Sequence, residues 1–153
     1  MIAIVPFRVE LAGDFQRLNL DWIERLFAVE AADRKVLADP ERSIIAPGGQ
    51  IFFALDEKAV VGTAAMLRVS ASRYELAKMA VSINHQKRGI GELLGAAGIA
   101  WVSRQGAATV FLQTNSRLAN AIRLYERLGF RHAVDPDPPE YARADVYMEL
   151  PIG

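Results

Sequence analysis

The segment from residue 73 to residue 114 constrains the fold most, because it combines a strand, a glycine-rich turn, a helix and a second strand. "RYELAKMAVSI" is a strand pattern, "IGELLGAAGIAWVSRQ" repeats apolar residues at helical spacing, and "ATVFLQT" is typical of a buried strand. We therefore expect 73–82 and 108–114 to be parallel neighbours in a right-handed βαβ unit. Ligands of such sheets bind beyond the carboxyl ends of the strands, where "HQKRGIGELLG" lies.

The remaining segments predict a mixed α/β fold in one domain, residues 1–153. "IAIVPF" is an edge strand because it contains Pro6, and 14–37 is helical with a break near Asn19. "QIFFAL" and "AVVGTAAMLRV" form a hairpin, and "RLANAIRLYERLG" is a helix that ends in a left-handed Gly129. "FRHAV" and "ADVYMEL" are the last strands. The predicted order is β-α-α-β-β-β-α-β-α-β-β.

Composition favours an ordinary globular protein over specialised classes. Of the 153 residues, 52% are hydrophobic, and 18 basic side chains balance 18 acidic ones. We expect no recruitment of nucleic acid or of an anionic membrane by such a neutral chain. The absence of cysteine excludes disulfides and thiolate nucleophiles, and two histidines are too few to predict a metal site. A cytoplasmic location is the expectation, without metal and with a homodimer left open.

The turn at 86–91 has the features of an anion site. A helix start leaves its first N–H groups unpaired, and Gly89 and Gly91 let a phosphate approach the backbone. Lys87 and Arg88 add charge-assisted contacts. No G-K-[ST] follows, so it is not a P-loop, and the glycine spacing is one residue too long for a dinucleotide fingerprint. Close helix–sheet packing remains the alternative explanation of the glycines.

Two motifs give the chain a family resemblance. Q-K-R-G-I-G, residues 86–91, resembles Q/R-x-x-G-x-G/A, the acyl-CoA pyrophosphate loop of the GNAT superfamily of N-acyltransferases. "NAIRLYERLGF", residues 120–130, is similar to the family's fourth helix, and "VFLQTN" precedes it as in the family. The resemblance implies a GNAT fold of bacterial type and an N-acetyltransferase. Such an enzyme moves an acetyl group from acetyl-CoA to a primary amine by direct transfer in a ternary complex.

The resemblance also assigns the residues that hold acetyl-CoA. The backbone of Met79, Ala80 and Val81 would pair with the pantetheine arm, and the Val81 N–H would polarise the thioester carbonyl. Asn115 and Asn120 are candidate polar contacts to the pantetheine. The pyrophosphate loop comprises Gln86, Lys87, Arg88, Gly89, Ile90 and Gly91.

Two residues match the family's positions for proton transfer. Tyr125, three residues before "LGF", would protonate the CoA thiolate, although it also lies on an apolar helix face and could belong to the core. Glu75 is the candidate base, with ordered water as an equal alternative. Glu75 could instead pair with Arg73 or Lys78. His85 is a weaker rival because it lies in the phosphate loop.

The acceptor amine is not predicted beyond its class. It should meet the helical region 14–37 and the loop 135–141, which flank the slot in relatives. Acidic residues of that helical region either attract a cationic amine or form solvated faces: Asp14, Asp21, Glu24, Glu30 and Asp33. A non-catalytic acyl-CoA sensor is the alternative function, and a structural domain without nucleotide is a further one.

Overall fold

The computed structural model describes residues 1–137 and 139–153 and confirms the mixed α/β fold. Seven strands form one sheet in the order β1-β2-β3-β4-β5-β7-β6. Among the strand pairs of the described residues, only β4–β5 is parallel. The strands are β1 (Ile2–Pro6), β2 (Gln50–Asp56), β3 (Ala59–Ser70), β4 (Arg73–Val81), β5 (Thr109–Thr114), β6 (Arg131–His132) and β7 (Val146–Pro151).

The helices confirm most of the predicted boundaries and correct one. They are α1 (Ala12–Leu26), α2 (Ala31–Ala38), α3 (Ile90–Arg104) and α4 (Ala119–Arg127), with a π-helical turn at Glu41–Ile45. The predicted break near Asn19 is wrong, because its buried amide donates to the Phe15 carbonyl inside α1 at 3.0 Å. The chain leaves the helix at Phe27, whose backbone is extended. Gly129 has φ +104, as expected after α4.

Hydrophobic residues cover both faces of the sheet. Phe52, Leu76, Leu94, Val110 and Met148 belong to a cluster that packs α3 against one face. A second cluster lies under α1 and α2 on the other face and is built around Phe15, Leu37, Ile51, Phe53 and Ala65. Each face therefore has its own core. Within the described ranges, no helix is both long and apolar enough to cross a membrane.

Strand β4 changes partners along its length. It pairs with β5 only through residues 73–75, where Glu75 faces Phe111. Beyond that point it continues along β3 alone, with a register shift between Thr63 and Ala65. The parallel pair predicted for 73–82 and 108–114 is thus confirmed at its first three residues. After Glu75 the two strands part, which opens a gap between their carboxyl ends.

Candidate active site

The start of α3 combines an open backbone with positive charge. Gly89 is the N-cap residue at φ +77, and Lys87 has φ +64. At this end of α3 the first helical hydrogen bond is donated by the Leu93 N–H to the Gly89 carbonyl, at 3.1 Å. The backbone N–H groups of the first turn come before this bond and are not used by the helix. Gly89 lies in open space, since no heavy atom lies within 4 Å of a Cβ built there. The geometry suits an anion held by backbone N–H groups.

Gly91 has a different neighbourhood from Gly89. A Cβ at Gly91 would lie 2.9 Å from Leu124 Cδ2 and 3.4 Å from Met79 Sδ. The first turn of α3 therefore touches both α4 and β4. At Gly91 the packing explanation of the glycines therefore holds, whereas Gly89 is exposed and has open space beside it.

The gap beside β4 is lined by backbone N–H groups of β4 that do not point toward β3. The Ser82 N–H donates to the Val61 carbonyl of β3 at 2.8 Å. Successive residues of a strand direct their N–H groups to opposite sides, so the Val81 N–H points away from β3. The Gln86 amide donates to the Val81 carbonyl at 3.2 Å and ties the loop to the end of the strand. These contacts join the predicted pantetheine strand to the predicted phosphate loop.

Tyr125 lies on α4, close to where α3 and β4 meet. Its ring packs edge-on against Phe130, with centroids 6.2 Å apart, and touches the same core as Met79 and Val81. Burial raises the pKa of the Tyr125 phenol to about 12, which keeps it protonated. Leu124, the preceding residue, is the one that approaches Gly91. The phenol is thus a protonated donor on α4 and also part of the packing.

Glu75 stands where β4 leaves β5, without the ion pairs that the sequence allowed. Lys78 pairs with Asp33, and the Arg73 guanidinium stacks 3.7 Å from the Phe111 ring and donates to the Tyr147 hydroxyl. Within residues 1–137 and 139–153 no hydrogen bond reaches the Glu75 carboxylate. Burial, reinforced by the charge of Glu140, raises the pKa of Glu75 to about 7. A carboxyl that titrates near neutrality has the acidity expected of a general base.

Three other candidates already have partners within the protein. The Asn115 side chain donates to the Arg143 carbonyl at 2.6 Å and accepts from the Arg117 N–H at 2.8 Å. Asn120 is exposed and accepts from Arg123. The His85 Nε2 lies 3.4 Å from Asp56, ahead of the phosphate loop and away from the gap. The first two remain predictions as pantetheine contacts.

A buried charge cluster on the acceptor side was not predicted. Asp33 is 0% exposed, so its assignment to a solvated helix face is wrong. Its carboxylate lies 2.6 Å from Lys78 Nζ and receives two hydrogen bonds from Arg143 at 2.8 and 2.6 Å. Burial by itself would raise the pKa of Asp33, but the hydrogen bonds from Arg143 and Lys78 hold it well below its usual range. Arg143 also pairs with Glu30 at 3.3 Å.

The same cluster fixes the segment before β7. Glu30 accepts the Ala142 N–H at 3.0 Å, and the Lys78 ammonium lies 4.3 Å from the centre of the Tyr141 ring. Part of the predicted acceptor loop 135–141 thus faces α2, although residue 138 lies outside the described residues. The sequence signal was the capping pair at Glu30 and Asp33, which closes the first turn of α2.

Comparisons with known proteins agree with this fold. Residues 16–130 match the family model described as the acetyltransferase (GNAT) family. The chain is 28% identical, over 86% of its length and 81% of the relative's, to the alanine N-acetyltransferase of ribosomal protein bS18 from Escherichia coli. The chain belongs to the GNAT family of acetyltransferases.

Solved structures share the fold at low identity. A GNAT-family acetyltransferase of Staphylococcus aureus superposes with a TM-score of 0.90 at 19% identity, over 100% of both chains. YncA of Salmonella typhimurium, whose structure contains its cofactor acetyl-CoA, superposes with a TM-score of 0.79 at 20% identity. The match covers 100% of this chain and 95% of YncA. Family and fold together make the protein an N-acetyltransferase.

Proposed function

We propose that the protein transfers an acetyl group from acetyl-CoA to a primary amine in a ternary complex. The observation that carries the proposal is the parting of β4 from β5 after Glu75, beside the open start of α3. The pantetheine arm would lie in the gap along Met79–Val81, with its pyrophosphate on the 86–91 loop. The presence of acetyl-CoA in the structure of YncA supports this cosubstrate.

The proposed reaction is a direct acyl transfer. The neutral amine nitrogen attacks the thioester carbonyl and a C–N bond forms. The cationic nitrogen of the tetrahedral intermediate then loses its second proton to solvent, and the C–S bond breaks to release CoA thiolate. The Val81 N–H, directed into the gap, would stabilise the oxyanion of the tetrahedral intermediate. No cysteine is present to carry an acyl-enzyme, which favours transfer without a thioester intermediate on the protein.

Glu75 and Tyr125 would manage the two protons. An alkylamine with a pKa of about 10.4 is mostly protonated at neutral pH, so it must lose a proton to attack. Glu75, with its pKa raised by burial to about 7, would accept that proton through a water. The Tyr125 phenol would donate to the departing sulfur. Because its pKa exceeds the value of about 8.5 typical of a thiol, its main contribution would be a hydrogen bond to the developing charge.

The acceptor would enter from the side of α2 and the segment before β7. The bS18-alanine N-acetyltransferase, named for a peptide-chain alanine, supports testing an N-terminal peptide amine beside small amines. The charges of Lys78 and Arg143 are already matched by Asp33 and Glu30. Among residues 1–137 and 139–153, Glu75 and Glu140 form no ion pair on that side, which favours an acceptor that arrives as a cation.

The deciding experiment has two readings on the same preparation. Titration calorimetry with acetyl-CoA and with desulfo-CoA measures whether the gap binds the cosubstrate. Release of free CoA thiol is then followed with polyamines, amino acids, aminoglycosides and peptides as acceptors. Binding with acceptor-dependent thiol release supports the proposal. Binding without release for any acceptor would favour an acyl-CoA sensor, and no binding at millimolar acetyl-CoA would refute the site.

A further inference from the structure

Strand β4 contains a bulge directly before its predicted cosubstrate-binding residues. Thr63 faces Ala80 and Ala65 faces Ala77, so Lys78 and Met79 together oppose Ala64. Lys78 has φ +54, a left-handed conformation that is strained for a non-glycine residue. Such a conformation persists only where neighbouring contacts enforce it. The bulge sets the direction in which the next N–H groups of β4 point.

The side chain of Lys78, at this bulge, forms a buried ion pair with Asp33. The side chains of Lys78 and Asp33 are 4% and 0% exposed, and Nζ lies 2.6 Å from Oδ1. Asp33 is itself immobilised, because Oδ2 accepts the Glu30 N–H at 2.9 Å and Arg143 donates to both carboxylate oxygens. One carboxylate on α2 therefore reaches across to the point where β4 bends.

We propose that Asp33 is a positioning residue of the acetyl transfer, which holds the β4 bulge through Lys78 and so fixes the aim of those N–H groups in Met79–Val81 that point away from β3, as the Val81 N–H does. The proposal rests on the proposed function, since those N–H groups matter only if acetyl-CoA lies along β4. Asp33 touches neither cosubstrate nor acceptor in this scheme. It acts on the reaction only through the backbone of β4.

Stability alone is a weak explanation for this pair. Buried ion pairs are often replaced by apolar residues of similar volume without loss of stability, because taking two charges out of water offsets their attraction. An apolar side chain at position 78 would fill the same space but could not be drawn toward Asp33. The ion pair instead holds the strained residue Lys78 in a fixed orientation toward the Asp33 carboxylate.

Two substitutions of Lys78 separate positioning from packing. If the residue positions β4, the variant with the higher kcat should be the less stable one, whereas a packing role predicts that kcat follows stability. Lys78→Met keeps the volume but loses the anchor, whereas Lys78→Gly loses the volume but accepts a positive φ without strain. Arg143 continues to pair with Asp33 in both variants. We expect the glycine variant to melt at the lower temperature yet to keep kcat within about 3-fold of wild type. The methionine variant should be the more stable one and lose kcat roughly 10-fold.

Binding of acetyl-CoA by itself tests Asp33 without the acceptor. Asp33→Asn should raise the Kd for acetyl-CoA roughly 5- to 10-fold in the wild-type background and leave it unchanged in the Lys78→Gly background, where the bulge needs no anchor. Glu57→Gly is the matched control, since Glu57 has φ +56 at an exposed turn. It should change neither kcat nor Kd.

The possible outcomes are distinct. If kcat follows melting temperature, if both Lys78 variants keep wild-type kcat, or if both lose it equally, Asp33 does not position β4. If Asp33→Asn fails to fold in the wild-type background, the two Lys78 variants still decide the matter. If wild type binds no acetyl-CoA, the proposed function itself fails before any variant is compared. If wild type binds acetyl-CoA but the kcat values of the variants follow their melting temperatures, only the positioning role is refuted and the proposed function stands.

Discussion

The two ends of the predicted cosubstrate gap are built in different ways. At the 86–91 loop the backbone is exposed, and a Cβ placed on Gly89 would meet no heavy atom within 4 Å. At the other end, Asp33 and Lys78 are buried, and their contacts link residues 45 positions apart in the chain. One end depends on a short stretch of backbone, and the other depends on side chains that only the fold brings together.

This difference predicts which changes each end tolerates. The loop should lose binding when a side chain fills the space at Gly89, while the fold survives, because a Cβ there would meet no neighbouring group. The buried end should respond to changes in charge and shape through stability as well as activity, since each group is another group's partner. Between the two ends lie Glu75 and Tyr125, which should affect the rate more than either binding or folding. Substitutions that probe this division should range from a large loss of binding at Gly89 to a small one at Arg88.

Gly89→Val should weaken acetyl-CoA binding most. The β-branched side chain would occupy the space where a pyrophosphate meets the backbone, and the residue would leave its positive φ. Losing two charge-assisted hydrogen bonds, each worth about 1.5–3 kcal/mol, corresponds to roughly a 10²- to 10⁴-fold higher Kd by calorimetry.

Gly106→Val is the matched control for Gly89→Val. Gly106 also has a positive φ, +81, in open space, but it lies in the turn after α3. Both variants should lower the melting temperature by similar amounts, and only the change at Gly89 should raise the Kd. Equal Kd values for the two variants would move the phosphate site away from this loop.

Tyr125→Phe should reduce kcat roughly 10²-fold, the lower end for loss of one hydrogen bond to charge that develops in the transition state. The ring and its contact with Phe130 remain, so the free energy of unfolding should change by at most about 1.5 kcal/mol. The Kd for acetyl-CoA should stay the same, because the hydroxyl is needed only as charge develops on sulfur. Tyr74→Phe, a buried tyrosine packed edge-on against Trp101, is the control. Unchanged kcat in Tyr125→Phe would place this tyrosine in the core alone.

Glu75→Gln should lower kcat/KM roughly 10-fold at pH 8 and flatten its pH profile. In wild type the rate should rise through the pKa of about 7 as Glu75 loses its proton. If the wild-type profile shows no group near pH 7, ordered water rather than Glu75 takes the proton.

Stability should respond to Glu75 in the opposite sense. Its pKa rises from the usual 4.5 to about 7 on folding, so the folded state favours the protonated form. That contribution is complete below pH 4.5, declines between pH 4.5 and 7, and is absent above. Glu75→Gln stays neutral, so at pH 8 it should be more stable than wild type, by about 1–3 kcal/mol in urea unfolding, and nearly equal to it at pH 4. Glu126→Gln, on the exposed side of α4, should show no such pH-dependent difference.

The contrast between the two ends also explains what the sequence could predict. The loop and helix α4 are contiguous motifs, and local periodicity placed β4, α3 and β5 in order. The helix break was predicted at Asn19, because Asn is a poor helix former, and not after Leu26, where it occurs. The sequence does not show that the Asn19 amide donates to the Phe15 carbonyl inside the helix, which lets the helix continue. The partners of Asp33 were not predicted, because Lys78 and Arg143 lie 45 and 110 positions away along the chain. The spacing of charges in the sequence does not indicate such long-range pairs.

Arg88→Ala should have the smallest effect, and its dependence on salt is what makes it informative. Arg88 is exposed beside the loop, so its contact with a pyrophosphate is screened and worth about 0.2–1 kcal/mol, a change in Kd of roughly 2- to 5-fold. The backbone N–H groups would remain, and on this proposal they would carry most of the binding. Raising the salt to 1 M shortens the screening length to about 3 Å and should remove the difference between the variant and wild type.

Arg104→Ala, at the far end of α3, is the control and should leave the Kd unchanged at every salt concentration. A loss as large as that of Gly89→Val, persisting in 1 M salt, would mean that side chains rather than backbone hold the phosphate at this end.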